Sequence, residues 1–96
     1  MLRYNVKNCS FILFSIIKEK TGISINQITG KDRFQDYVIA RAVCYVLLEE
    51  IGATSLQASK IMKRHRSCSY HYRKHYKDSN WPRFLKVLND VRLEFN

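Results

Sequence analysis

Lys60, Lys63, Arg64, Arg66, Arg73, Lys74 and Lys77, together with His65, His71 and His75, all fall between Ile51 and Lys77, a stretch without a single aspartate or glutamate. Solvated helical faces normally interleave the two signs, because opposite charges three or four residues apart attract and like charges repel. A face of one sign over this length is more than solvation requires. Its chemistry is anion binding: ammonium groups supply point charges, and the two-pronged guanidinium of an arginine such as Arg66 matches a phosphate or the acceptor edge of guanine.

The same histidines also suit a metal. His65, Cys68, His71 and His75 have ligand-like spacing, and two histidines at i and i+4 can hold an ion. However, Cys68 would have to share a face with residues pointing the other way, and no second cysteine completes a tetrahedron, so no metal is expected. Catalysis has little support. There is no Gly-rich phosphate loop, the three glycines stand at helix ends, and no carboxylate accompanies the histidines as base or orienter. Asp32 and Asp36 read as caps of the helix that follows them. The expectation is a protein that is not an enzyme and has neither cofactor nor small-molecule substrate.

The chain has 96 residues, 17 Lys+Arg against 8 Asp+Glu, a formal charge of +9 and 46% hydrophobic residues. That is apolar enough for one folded domain with a modest core, and basic enough to favour nucleic acid or an anionic surface. Cys9, Cys44 and Cys68 are odd in number and far apart, which argues against a disulfide framework and for a reducing cytoplasm. The apolar run over residues 9–17 is much shorter than the ~20 residues that span a bilayer, so it reads as a buried helix and no membrane partner is expected.

The elements that must carry the basic stretch are helical. Apolar spacing predicts a first helix over residues 8–21, ended by Gly22, and Ser24 with Gln27 forms a capping-box pattern for a short turn ended by Thr29 and Gly30. After the polar loop Lys31, Asp32, Arg33, the longest helix should cover residues 34–51. Its Tyr37, Ala40, Cys44, Leu47, Leu48 and Ile51 form one face that Val38, Val43 and Val46 widen, as suits the middle of a bundle. Two short helices follow, 55–62 and 67–77, joined by the turn Lys63-Arg64-His65-Arg66. Pro82 starts a last helix with Trp81, Phe84, Leu85, Leu88, Val91 and Phe95 facing the core. The fold class is all-α, a bundle of about five to six helices containing a helix-turn-helix.

On the second short helix Ser67, Tyr70, His71 and Lys74 share one face, while Cys68, Ser69, Tyr72 and Tyr76 turn to the other. The first set can enter the major groove of duplex DNA, with Arg64, His65, Arg66 and Ser67 at the amino-terminal end where base edges are reached. Ser55, Lys60 and Lys63 flank it, and Lys31 and Arg33 can reach the backbone or the neighbouring minor groove. An alternative is an interaction module whose basic face docks on an acidic partner, for instance a replication protein. RNA is less favoured, because its deep, narrow groove does not admit a helix readily.

Several segments, in order, resemble the carboxy-terminal DNA-binding domain of the bacterial replication initiator DnaA, a Trp-repressor-like helical domain. They are Thr21-Gly22-Ile23-Ser24, then Ile28 with Gly30-Lys31-Asp32-Arg33, then Ala40-Arg41-Ala42-Val43 with Leu47-Leu48, and finally Thr54-Ser55-Leu56 leading to Arg64-His65-Arg66-Ser67-Cys68. The last occupies the place of the family signature R-D-H-[SAT]-T: Arg64 and Ser67 match, whereas His65, Arg66 and Cys68 replace the other residues. The resemblance covers about residues 12–93 and implies sequence-preferring DNA binding with a changed recognition sequence. Because the chain begins almost at the DNA-binding part, the expectation is a freestanding binder, of phage or mobile-element origin, that regulates sites in replication or transcription without an ATPase module.

Overall fold

Side chains able to cap a helix set the start of four of the six helices among the described residues. The computed structural model describes residues 5–95, the side chain of Arg66 excepted. Helix α1 spans Val6–Thr21, opened by Asn5, whose side chain accepts from the Asn8 amide at 3.2 Å, and closed by Gly22 in the left-handed region. Helix α2, Ile25–Thr29, starts with the predicted capping box: the Ser24 amide donates to Gln27 Oε1 at 2.8 Å and the Gln27 amide to Ser24 Oγ at 3.3 Å. Thr54 and Gln57 repeat that device at the start of α4, Ser55–Met62. Helix α5 covers Arg66–Tyr76, and α6 covers Pro82–Phe95 with the proline at its first position, where a missing N–H costs nothing.

Helix α3, Gln35–Glu50, starts differently from the expectation. Its cap position is Phe34, with no side-chain cap bond, so neither Asp32 nor Asp36 acts as the cap. Asp36 lies inside the first turn, where its charge suits the positive end of the helix dipole, and it pairs with Arg83 of α6. That contact gives the carboxylate a partner across the bundle in place of a local one.

The described residues form an all-α bundle of six helices with no strand. Helix α3 runs through its centre and packs against every other helix, and each of its residues from Ile39 to Leu48 is buried. Leu13 and Ile17 of α1, Ile28 of α2, Met62 of α4, and Phe84 and Val91 of α6 close around it. Each such side chain contributes about 1.5–3 kcal/mol relative to exposure. Trp81, Leu85 and Phe95 are only half-buried and complete the predicted face of α6 at its edge. No helix among the described residues is long and apolar enough to cross a membrane.

A helix buried on all sides leaves Arg41 nowhere to reach water. The residue is 1% exposed, and its guanidinium instead donates to main-chain carbonyls: Nε to Ile28 O at 2.7 Å, and Nη2 to Gln27 O and Gly30 O at 3.0 Å each. These belong to the carboxy-terminal end of α2, where carbonyls lack intrahelical partners and carry partial negative charge. Burial first, and the nearby Arg64 second, push the Arg41 pKa down from its ordinary value. The three carbonyls hold the charge in place. Tyr45, also fully buried, stacks on Tyr72 with ring centroids 4.9 Å apart, but its hydroxyl has no hydrogen-bond partner among the described residues.

Two substitutions test this account by urea denaturation. Arg41→Ala removes all three bonds, leaves Gln27 O without this donor and empties a buried side-chain volume, so it should lower the unfolding free energy by about 2–5 kcal/mol. Tyr45→Phe removes an unpartnered hydroxyl and keeps the ring stack, so its expected effect runs from none to a gain of about 1 kcal/mol. A Tyr45→Phe loss equal to that of Arg41→Ala would show that the hydroxyl does hold a partner.

Candidate functional site

Between α4 and α5 the chain reverses over three residues. Lys63 takes the left-handed conformation (φ 56°), and the turn closes through the Arg64 amide to Ser59 O at 2.9 Å and the Lys63 amide to Lys60 O at 3.2 Å. Lys63 is the only non-glycine residue with positive φ among those described. His65 then caps α5, its Nδ1 accepting from the Ser67 amide at 3.2 Å and lying 2.9 Å from Ser67 Oγ. The turn is therefore 63–65. Arg66, expected as its last residue, is the first residue of α5, and its side chain lies outside the described residues.

The two faces of α5 divide as the periodicity requires. Ser67, Tyr70, His71 and Lys74 are exposed, whereas Ser69 is buried and Cys68, Tyr72 and Tyr76 are half-buried. Tyr76 stacks on Tyr72 at 5.8 Å, extending the Tyr45 stack into a three-ring column that joins α5 to α3. Among the described residues, no group of three or more His, Cys, Asp or Glu is placed to share a metal ion. His71 and His75 approach to 4.3 Å between ring centroids, but Cys68 lies on the inward side of the helix.

The basic stretch splits into two kinds of cation. Arg73 donates to Ser55 Oγ at 2.8 Å and stands 3.7 Å from Glu49, which Lys77 also approaches at 3.4 Å, so these two bind α5 to α4 and α3. Arg64 is directed inward as well. Its Nη1 donates to Met62 O at 3.2 Å and reaches Ile28 O at 3.5 Å, and its Nη2 donates to Gly30 O. The sequence placed Arg64 on the binding surface; the structure makes it a positioning residue that ties the turn to the end of α2. By contrast, Lys31, Arg33, Lys60, Lys63 and Lys74 are exposed and form no ion pair among the described residues.

Arg41 and Arg64 thus converge on Ile28 O and Gly30 O, and this holds loop 31–33 beside the turn. Gly30 is required there by close approach: a Cβ would fall 2.8 Å from the Asn26 carbonyl oxygen. The result is a cleft of about 620 Å³ between loop, α3 and α5, bordered by Lys31, Arg33, Lys63, Arg64 and His71 and lined by no acidic residue. Ser55, His65, Ser67 and Tyr70 line a shallower depression of about 410 Å³ between α4 and α5. Lys60 belongs to neither, facing a groove against α1, and Lys74 lies on the exposed flank of α5 outside both.

Sequence reasoning missed Arg41 and Gly30 as determinants of this site. The available signal was a lone arginine among apolar residues at core positions of the longest helix. No protein family, curated protein or solved structure matches the chain.

The division between positioning and exposed cations is measurable. Arg64→Ala should lower the unfolding free energy by about 1–3 kcal/mol, because carbonyls now accepting from a charged donor lose it. His71→Ala, at an exposed position, should change it by no more than about 0.5 kcal/mol. Equal small effects in chemical denaturation would return Arg64 to the surface set.

Proposed function

We propose that the protein binds duplex DNA. In this reading α4, the turn 63–65 and α5 act as a helix-turn-helix, α5 enters the major groove, and loop 31–33 meets the backbone or the adjacent minor groove. The observation that carries it is the convergence of Lys31 and Arg33 with Lys63 and His71 on one acid-free cleft, next to the exposed Ser67, Tyr70, His71 and Lys74 face of α5. Residues separated by thirty or more positions in the chain thereby meet beside the exposed face of α5. An α-helix with its side chains is about 10–12 Å across, and the B-DNA major groove is about 12 Å wide.

Lys63 adds a second support. Left-handed backbone costs a non-glycine residue about 1–2 kcal/mol, yet this position holds a lysine whose ammonium is exposed at the cleft. The charge is a reason for keeping a side chain that the turn itself does not want. The ordered resemblance to the DnaA carboxy-terminal domain agrees with this reading and extends it to regulation of replication or transcription. Since His65 caps α5 where the family signature has an acid, the preferred DNA sequence should differ from the family's.

Three measurements follow from the geometry. Affinity for duplex DNA should fall roughly a thousandfold between about 50 and 200 mM salt if about six phosphates are neutralised. Lys74→Ala should weaken all sequences alike, whereas Tyr70→Ala should cost more on a selected site than on random duplex. Lys63→Gly should raise stability by about 1 kcal/mol while weakening DNA binding. A flat salt response, or no duplex binding at low salt, overturns the DNA reading.

A further inference from the structure

Away from the face formed by α5 and loop 31–33, α1 and α4 splay apart and leave an open groove of about 600 Å³. Its walls are helical. Val6, Ser10 and Phe14, with Lys7 and Phe11, form one face of α1 about two turns long, and Gln57, Lys60 and Ile61 stand at i, i+3 and i+4 on α4. Ile25 of α2 closes one end. Phe11 is 55% exposed and Ile25 38%, large apolar side chains whose neighbours Phe14 and Ile61 give the groove an apolar floor. Lys7, Lys60 and Lys63 stand along the rim, and no acidic residue lines the groove among those described.

An apolar floor between two helices, edged by cations on both sides, fits one kind of occupant. A third helix laid between α1 and α4 would bury Phe11 and Ile25 with leucine-like anchors at i, i+3, i+4 and i+7, and its flanks would have to carry carboxylates to meet Lys7 on one side and Lys60 and Lys63 on the other. A basic segment would be repelled, and DNA has no apolar face to offer. We propose that this groove is the docking site for an acidic amphipathic helix of a partner protein. The groove shares Lys63 with the cleft of the DNA reading but does not rest on that reading, since Phe11 and Ile25, its apolar anchors, belong to no part of the α5 surface.

The test uses the full chain and a defined probe, a helical peptide of about 16 residues with leucines at i, i+3, i+4 and i+7 and glutamates on both flanks. Fluorescence anisotropy should show saturable binding, and amide shifts in NMR should map to α1, Ile25 and α4. Phe11→Ser should weaken binding by at least about tenfold, as should replacing the leucines of the peptide by serine, while Tyr70→Ala should leave it unchanged. Phe11 is exposed, so Phe11→Ser should remain folded, and its circular dichroism melt is the control; Ile25→Ser provides a second variant of the same wall. Binding that survives loss of the leucines, shifts that map to α5, or absence of saturable binding overturns the proposal. So does retention of phosphatidylglycerol vesicles in a Phe11-dependent manner without peptide binding, which would make the groove a lipid surface.

Discussion

Two guanidinium groups on the end of one five-residue helix hold the architecture of the acid-free cleft. The last carbonyls of α2 have no partners within the helix, and Arg41 from the central helix and Arg64 from the turn both donate to them. Like charges brought this close repel, and Arg64 accordingly depresses the Arg41 pKa. What makes the pair tolerable is a shared set of oriented carbonyl dipoles that neither arginine has to neutralise fully. Because one arginine is anchored in the core and the other in the turn, loop, long helix and turn behave as one unit. A helix this short would be marginal alone, and tertiary contacts are what keep it in place.

That anchoring changes how the positive charge should be understood. A formal charge of +9 suggests a uniformly sticky surface. In the fold, Arg41 and Arg64 are bound to carbonyls, Arg73 and Lys77 lean on Glu49, Arg83 pairs with Asp36, and Arg92 with Glu50. Among the described residues the cations without an acidic partner include Lys31, Arg33, Lys63 and Lys74 around loop 31–33, the turn and α5, Lys7 and Lys60 along the α1 groove, and Lys18 and Lys86 elsewhere on α1 and α6. Packing therefore selects which basic residues stay free to meet an anion. The rest hold the helices that present them.

The all-α class, the order of the helices, the capping box of Ser24 and Gln27, the start of α6 at Pro82 and the two faces of α5 were all legible in the sequence, because each depends on periodicity or on residues within four positions of one another; the second box, Thr54 with Gln57, obeys the same rule and came to light only in the structure. Asp32 and Asp36 show the limit of local reasoning. Either could cap α3 by its position, yet Asp36 finds Arg83, a residue forty-seven positions away, and no local rule anticipates that choice.

The identity of a residue determines what it can bond to, and so the sequence by itself determined that the stretch between Ile51 and Lys77 carries an anion-attracting surface on helical elements. Only the tertiary structure decided which of its cations face outward. Arg64 and Lys63 are adjacent and both basic, but one meets orphaned carbonyls of α2 within reach of its fork, while the other, left-handed at the end of α4, is exposed and meets no acceptor among the described residues. A charged side chain goes to whichever partner the fold brings within about 3 Å, and those partners come from parts of the chain that periodicity cannot connect.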